Sequence, residues 1–151
     1  MTMSEHRSTL NWKRQSADFN YDTFNREHTL TFKEGVSVAA SAAPAYKGKA
    51  GHIDPEEMLV GAASSCHMLT FLAIAAKKGI TVESYVDNAV GFLEKNDDGM
   101  MAVTRIELHP KVTFASQALD QAGLERLHES AHHHCFVANS VASKITVHIE
   151  K

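Results

Sequence analysis

Several things are scarce in this 151-residue chain. The N-terminal stretch MTMSEHRSTLNWKRQ has no apolar core followed by a small-residue cleavage site, so no secretory signal is expected. Basic clusters are missing too. The longest, Lys13-Arg14 and Lys77-Lys78, sit in a chain of net charge −3. That argues against a nucleic-acid-binding surface, because phosphate neutralisation needs gathered Lys and Arg. No internal repeat or low-complexity segment is present. Only one apolar run, Met58 to Ala76, approaches the length of a membrane span. It carries Ser64, Ser65, Cys66, His67 and Thr70, is rich in Ala, has acidic residues at its head and has no second span beside it. A buried core helix is the better reading, and the cytoplasm follows. Cysteine is the scarcest feature of all: Cys66 and Cys135 stand alone, 69 positions apart. In the cytoplasm a static disulfide would be unusual, and such thiols tend to be catalytic, metal-bound or inert.

What is present fits an ordinary soluble domain, with 44% apolar and 22% charged residues. Residues 1–151 are long enough to bury a core as one domain. Residues 9–33 hold short extended pieces, TLNWKR and EHTLTFK. Glu34-Gly35 marks a turn before the strand VSVAAS, and AAPAYKGKAGHI, 42–53, is a Pro/Gly loop. A long helix then has clear ends. Asp54 can cap it, Pro55 suits its first position, and Glu56 and Glu57 complement the helix dipole. Lys77, Lys78 and Gly79 favour its close. Being apolar nearly all round, this helix should be covered on every side. A strand over 84–94, the turn EKNDDG and a second strand over 101–114 follow. Ile106, Leu108, Val112 and Phe114 share one face of that second strand. Ser116 is expected to cap a second helix running to about His134, with Leu119, Leu127 and Ala131 inward. SKITVHI, 143–149, closes the chain as a strand. The order predicts an α+β fold, with antiparallel sheets laid over a helical centre.

Cys66 taken alone reads as a small buried hydrophobe. Three neighbours favour chemistry instead: the adjoining His67, the small residues Gly61 to Ser65, and a second cysteine in a helix-end context. HHHC, 132–135, raises a zinc site. Adjacent helical histidines, however, point about 100° apart, and close ligand pairs such as C-x-x-C are missing. No metal or cofactor is therefore expected. His128 and His132, four apart, read as a solvated histidine-rich face. His67 and His132 are taken as structural or supporting groups rather than general acids.

DPEEMLVGAASSCHM, Asp54 to Met68, closely resembles the first-cysteine segment of the OsmC/Ohr family of thiol peroxidases. AHHHCFVANS, Ala131 to Ser140, is similar to that family's second-cysteine segment. FNREHTLTFKEG and SAAPAYKG look like the N-terminal sheet and loop of an OsmC-like branch, so the resemblance runs from about residue 10 onward. It implies two intertwined subunits, with cysteine helices central and sheets outside. It also implies reduction of organic or lipid hydroperoxides, with Cys66 peroxidatic and Cys135 resolving through a disulfide. An external dithiol, a lipoyl protein or a small dithiol, would restore the thiols. Glu56 matches the family's acid, Arg26 is the better match for its arginine, and Arg14 is the runner-up. A non-enzymatic redox-sensing or small-molecule-binding protein of the same family is the alternative.

Chemistry adds a constraint. A thiol with the usual pKa of about 8.5 is only a few per cent thiolate at neutral pH, and burial raises the value further. A peroxidatic Cys66 is thus expected beside a permanent cation. Glu56 and Cys66, ten residues apart on one helix, lie about 15 Å apart along its axis. An arginine held by Glu56 would struggle to reach Cys66 of the same helix, which favours Glu56 and Arg26 coming from the partner subunit.

Overall fold

Asp54 and Glu57 start the long helix reciprocally. Asp54 Oδ1 accepts the Glu57 N–H at 2.8 Å, and Glu57 Oε2 accepts the Asp54 N–H at 3.0 Å. This capping box satisfies two donors at the helix start. From there α1 runs over Pro55–Lys77, about 35 Å at 1.5 Å per residue. It ends where Gly79 turns to φ +69°, and the Ile80 N–H reaches back to the Ala75 carbonyl at 3.0 Å. Both ends fall where expected.

The computed structural model describes residues 3–115 and 119–151. The chain divides into two compact units, Met1–Met58 and Leu59–Lys151. In the first, β1 (Thr9–Asn11), β2 (His28–Thr31) and β3 (Ser37–Ala40) form an antiparallel sheet in that order. Glu34 and Gly35, both at positive φ, turn β2 into β3. In the 42–53 loop, a Cβ on Gly48 would stand 1.5 Å from the Ala42 carbonyl oxygen. Only glycine fits there.

The second unit departs from expectation in its sheets. The segment 84–94 is two strands, β4 (Val82–Asp87) and β5 (Val90–Lys95). The segment 101–114 is also two, β6 (Met101–Leu108) and β7 (Pro110–Phe114). β4 pairs with β7, while β5, β6 and β8 (Lys144–Val147) make a separate sheet. Asp87 sits at the split. Its carboxylate accepts the His109 N–H at 2.6 Å and the Ser64 hydroxyl of α1 at 2.5 Å. The next residue, Pro110, has no N–H to offer a continuous ladder. β8 pairs with β6 in parallel, which a helical crossover permits and a tight turn does not. That crossover contains α2 (Gln121–His134). Asp120 caps it, accepting the Gly123 N–H at 2.7 Å, so the helix begins later than expected. Ser116, the expected cap, lies outside the described residues.

Two apolar clusters hold these layers together. Phe71 and Ala75 of α1 pack with Leu127 and Ala131 of α2 over Val112 and Phe114. Nearer the start of α1, Ala63 packs with Ile106 and Leu108 over Val103, Ile145 and Val147. The shared face expected for Ile106, Leu108, Val112 and Phe114 therefore serves two sheets. Gly91 of β5 lets that strand approach the helix, since a Cβ there would meet Val60 Cγ2 at 2.4 Å.

α1 is long and apolar enough to cross a membrane by length and composition. Its buried stripe, Ala63, His67, Phe71 and Ala75 at four-residue spacing, instead makes it the core helix of this α+β fold. The expected all-round cover is not met within one chain, because Leu69 is 59% exposed. A single chain supplies packing partners for one stripe only.

Candidate active site

Cys66 lies on α1 at the border between its buried stripe and its open face, half-buried, whereas Cys135 is buried. Cys135 ends α2: its φ of −73° and ψ of 115° leave the helical region. The chain then folds back on itself at once. The Asn139 N–H bonds the Cys135 carbonyl at 3.0 Å, the Ser140 N–H bonds the Val137 carbonyl at 3.0 Å, and the Ala138 N–H reaches the Cys135 sulfur at 3.4 Å. Asn139 Nδ2 adds a bond to the His133 carbonyl at 3.2 Å. The effect of this turn is to aim backbone N–H groups at sulfur.

Those donors decide the ionisation of the two thiols. Burial pushes the Cys66 thiol up, but the Val137 N–H, the Cys135 thiol, the Phe136 N–H and the Thr70 hydroxyl together hold it below its ordinary value. Burial pushes Cys135 up, and the neighbouring Cys66 pushes it further, against the Ala138 and Val137 N–H groups. Cys66 is therefore the thiol that ionises first, and Cys135 stays protonated as its donor. The groups that favour the Cys66 thiolate are all uncharged. Hydrogen bonds to the charged form lower a pKa just as a cation does.

A cavity of about 690 Å³ opens at Cys66, lined by Ala62, Leu69, Ala73, His134 and Phe136 among others. This is in the size range of small-molecule sites.

Arg26 directs its guanidinium to the carbonyls of Phe24 at 2.8 Å and Tyr21 at 2.7 Å, and stacks 3.9 Å above the Phe24 ring. Arg14 likewise bonds the carbonyls of Ser16 at 3.1 Å and Ala17 at 2.8 Å. Glu56 stands in the first turn of α1, and the capping acid of that turn is Glu57. Among the described residues, no ion pair joins Glu56 to either arginine within the chain.

Histidine placement corrects one expectation. His128 is not on a solvated face: it is 2% exposed, and its Nδ1 lies 3.0 Å from Nε2 of the equally buried His67. The rings stack with an interplanar angle of 4°. Packing of α2 against α1 closes over that side. Burial is the chief cause that lowers both pKa values to about 4, so both imidazoles are neutral at pH 7. This bridge was legible only in part, since His67 and His128 fall at apolar-stripe positions of their helices. Among the described residues, no three His, Cys, Asp or Glu side chains are placed to share a metal ion.

Comparison with known proteins agrees with these elements. The family model for OsmC-like proteins matches residues 48–150, and the chain belongs to that family. It is similar to an OsmC-like protein of unknown function from Vibrio cholerae, with 44% identity, a TM-score of 0.93, and coverage of 98% of this chain and 100% of that one. An organic hydroperoxide resistance protein from Elizabethkingia anophelis shares the fold at 15% identity and a TM-score of 0.73, covering 98% of this chain and 95% of that one. The uncharacterized protein YmaD of Bacillus subtilis is 23% identical over 129 residues, 83% of this chain and 85% of its own length. The resemblance carried by the two cysteine segments therefore holds.

Proposed function

We propose that the protein is a cytoplasmic thiol peroxidase that reduces organic or lipid hydroperoxides to alcohols. The observation that carries this reading is the asymmetric thiol pair. Residues 69 apart in sequence meet, and one is held as the better thiolate while the other remains protonated beside it. The Cys66 thiolate attacks the terminal peroxide oxygen, the O–O bond breaks, and a sulfenic acid and an alkoxide result. Cys135 condenses with the sulfenic acid, releasing water and forming a disulfide. An external dithiol, a lipoyl protein or a small dithiol, reduces it. Membership of a family whose solved relatives include organic hydroperoxide resistance proteins supports the substrate class.

Glu56 and Arg26 complete the site in this reading as an acid–guanidinium pair supplied by a second copy of the chain. Support comes from the 15 Å that separates positions 56 and 66 along α1 and from the exposed Leu69 face, which an intertwined homodimer would cover. Full activity in a protein shown to be monomeric would refute this part. The test of the whole is peroxide consumption with dithiothreitol by wild type, Cys66→Ser and Cys135→Ser. Cys66→Ser should be inert, and Cys135→Ser should form sulfenic acid without recycling through the internal disulfide. Equal rates in all three would remove the peroxidase reading.

A further inference from the structure

The attack on a peroxide leaves an alkoxide, a base so strong that its departure is helped by a proton donor. Nothing assigned so far supplies that proton. Cys66 arrives as a thiolate, and the Cys135 thiol proton is required for the following condensation. Two further titratable side chains line the cavity of Cys66, Lys77 and His134, and the histidine is the one anchored by a hydrogen bond to its own helix. His134 lines the same cavity as Cys66. It lies one helical turn beyond Ser130, which lines that cavity too, and its Nδ1 bonds the Ser130 carbonyl at 2.8 Å. A carbonyl can only accept, so Nδ1 carries a hydrogen and the ring is anchored through that edge. Nε2 is thereby left as the atom that gains and loses a proton.

The geometry points to His134 as the general acid that protonates the departing alkoxide. The inference rests on the peroxidase reading and extends it. In the step, the Cys66 sulfur takes the terminal hydroxyl oxygen and becomes Cys66–SOH. The O–O electron pair leaves on the alkoxide oxygen, and the Nε2 proton of imidazolium moves to that oxygen to give the alcohol. Neutral His134 then regains its proton from water. The titratable and charged groups around it are Cys66 and Lys77, which line the cavity from α1, and His133 of its own helix, whose ring meets that of His134 edge-on at 5.0 Å. The buried His67 and His128 are occupied with each other and play no part.

Two oxidants separate this role from a structural one. tert-Butyl hydroperoxide leaves a strongly basic alkoxide, whereas peracetic acid leaves acetate, which needs no proton. His134→Gln should lower kcat/KM for tert-butyl hydroperoxide about 100-fold, the size of general acid catalysis, while peracetic acid reduction stays within about threefold, since acetate departs without such help. Equal losses with both oxidants, or no loss with either, would overturn the assignment. If the wild type reduces neither oxidant, the peroxidase reading itself falls, a separate outcome that is visible before any variant is made.

Discussion

The surroundings of the two cysteines differ in kind. Cys66 sits mid-helix, half-buried beside an open cavity, with donors converging on its sulfur from another element. Cys135 closes a helix, is fully buried, and has the better thiolate next to it as a further reason to keep its proton. Burial alone would raise both pKa values. The 136–138 turn gives each sulfur two N–H groups, so the difference comes from the side chains: the Cys135 thiol and the Thr70 hydroxyl favour the Cys66 thiolate, while Cys66 itself pushes Cys135 up.

The sharpest way to break the comparison is to exchange the sulfurs one at a time. Cys66→Ser should abolish peroxide consumption, while Cys135→Ser should leave one stoichiometric oxidation detectable by a sulfenic-acid probe. If Cys135→Ser is the inert variant, the roles are reversed. The next largest effect concerns the bridge that joins the two cysteine helices. His67 and His128 have folded pKa values of about 4 against an ordinary 6.5. The unfolded chain therefore binds more protons below pH 6.5. Stability is full above 6.5, falls as the pH drops from there to about 4, and loses about 3 kcal/mol per imidazole. Denaturant melts between pH 4 and 7 measure this, and His67→Phe/His128→Phe should flatten the slope. Phe71→Ala, in the cluster that packs the helices, should cost about 3–5 kcal/mol in the same melts. Smallest is the effect of a single donor. Val137→Pro removes one N–H and should raise the Cys66 pKa. Iodoacetamide alkylation rates against pH will show it, and an unmoved profile would transfer the credit to other groups.

The two helices and most strand positions were legible because their signals are local: an Asp-Pro-Glu-Glu start, a glycine stop, alternating Ile106 and Leu108. The sheet partition was not. Whether 101–114 stays one strand depends on Asp87 reaching His109 and Ser64, contacts that no alternation pattern records. The parallel docking of β8 is likewise a matter of where the crossover helix lies. At the site, both cysteines stood out through their segments, while the donors beside Cys66 left no mark, because every residue but proline has an N–H. A cation was expected beside the thiolate, and within the chain neutral dipoles take that place. His128 looked surface-bound because a polar side chain at helical spacing is usually wet; here it has a partner of its own kind on the opposite helix.

The parallel pairing of β6 with β8 has a temporal consequence. Val137, whose amide faces Cys66, is packed in the same cluster as Ile145 and Val147 of β8. During synthesis Cys66 emerges long before those last residues, so the nascent thiol behaves as an unassisted one. Its lowered pKa is a property of the completed fold, in place only once residues 136–138 have docked beside α1.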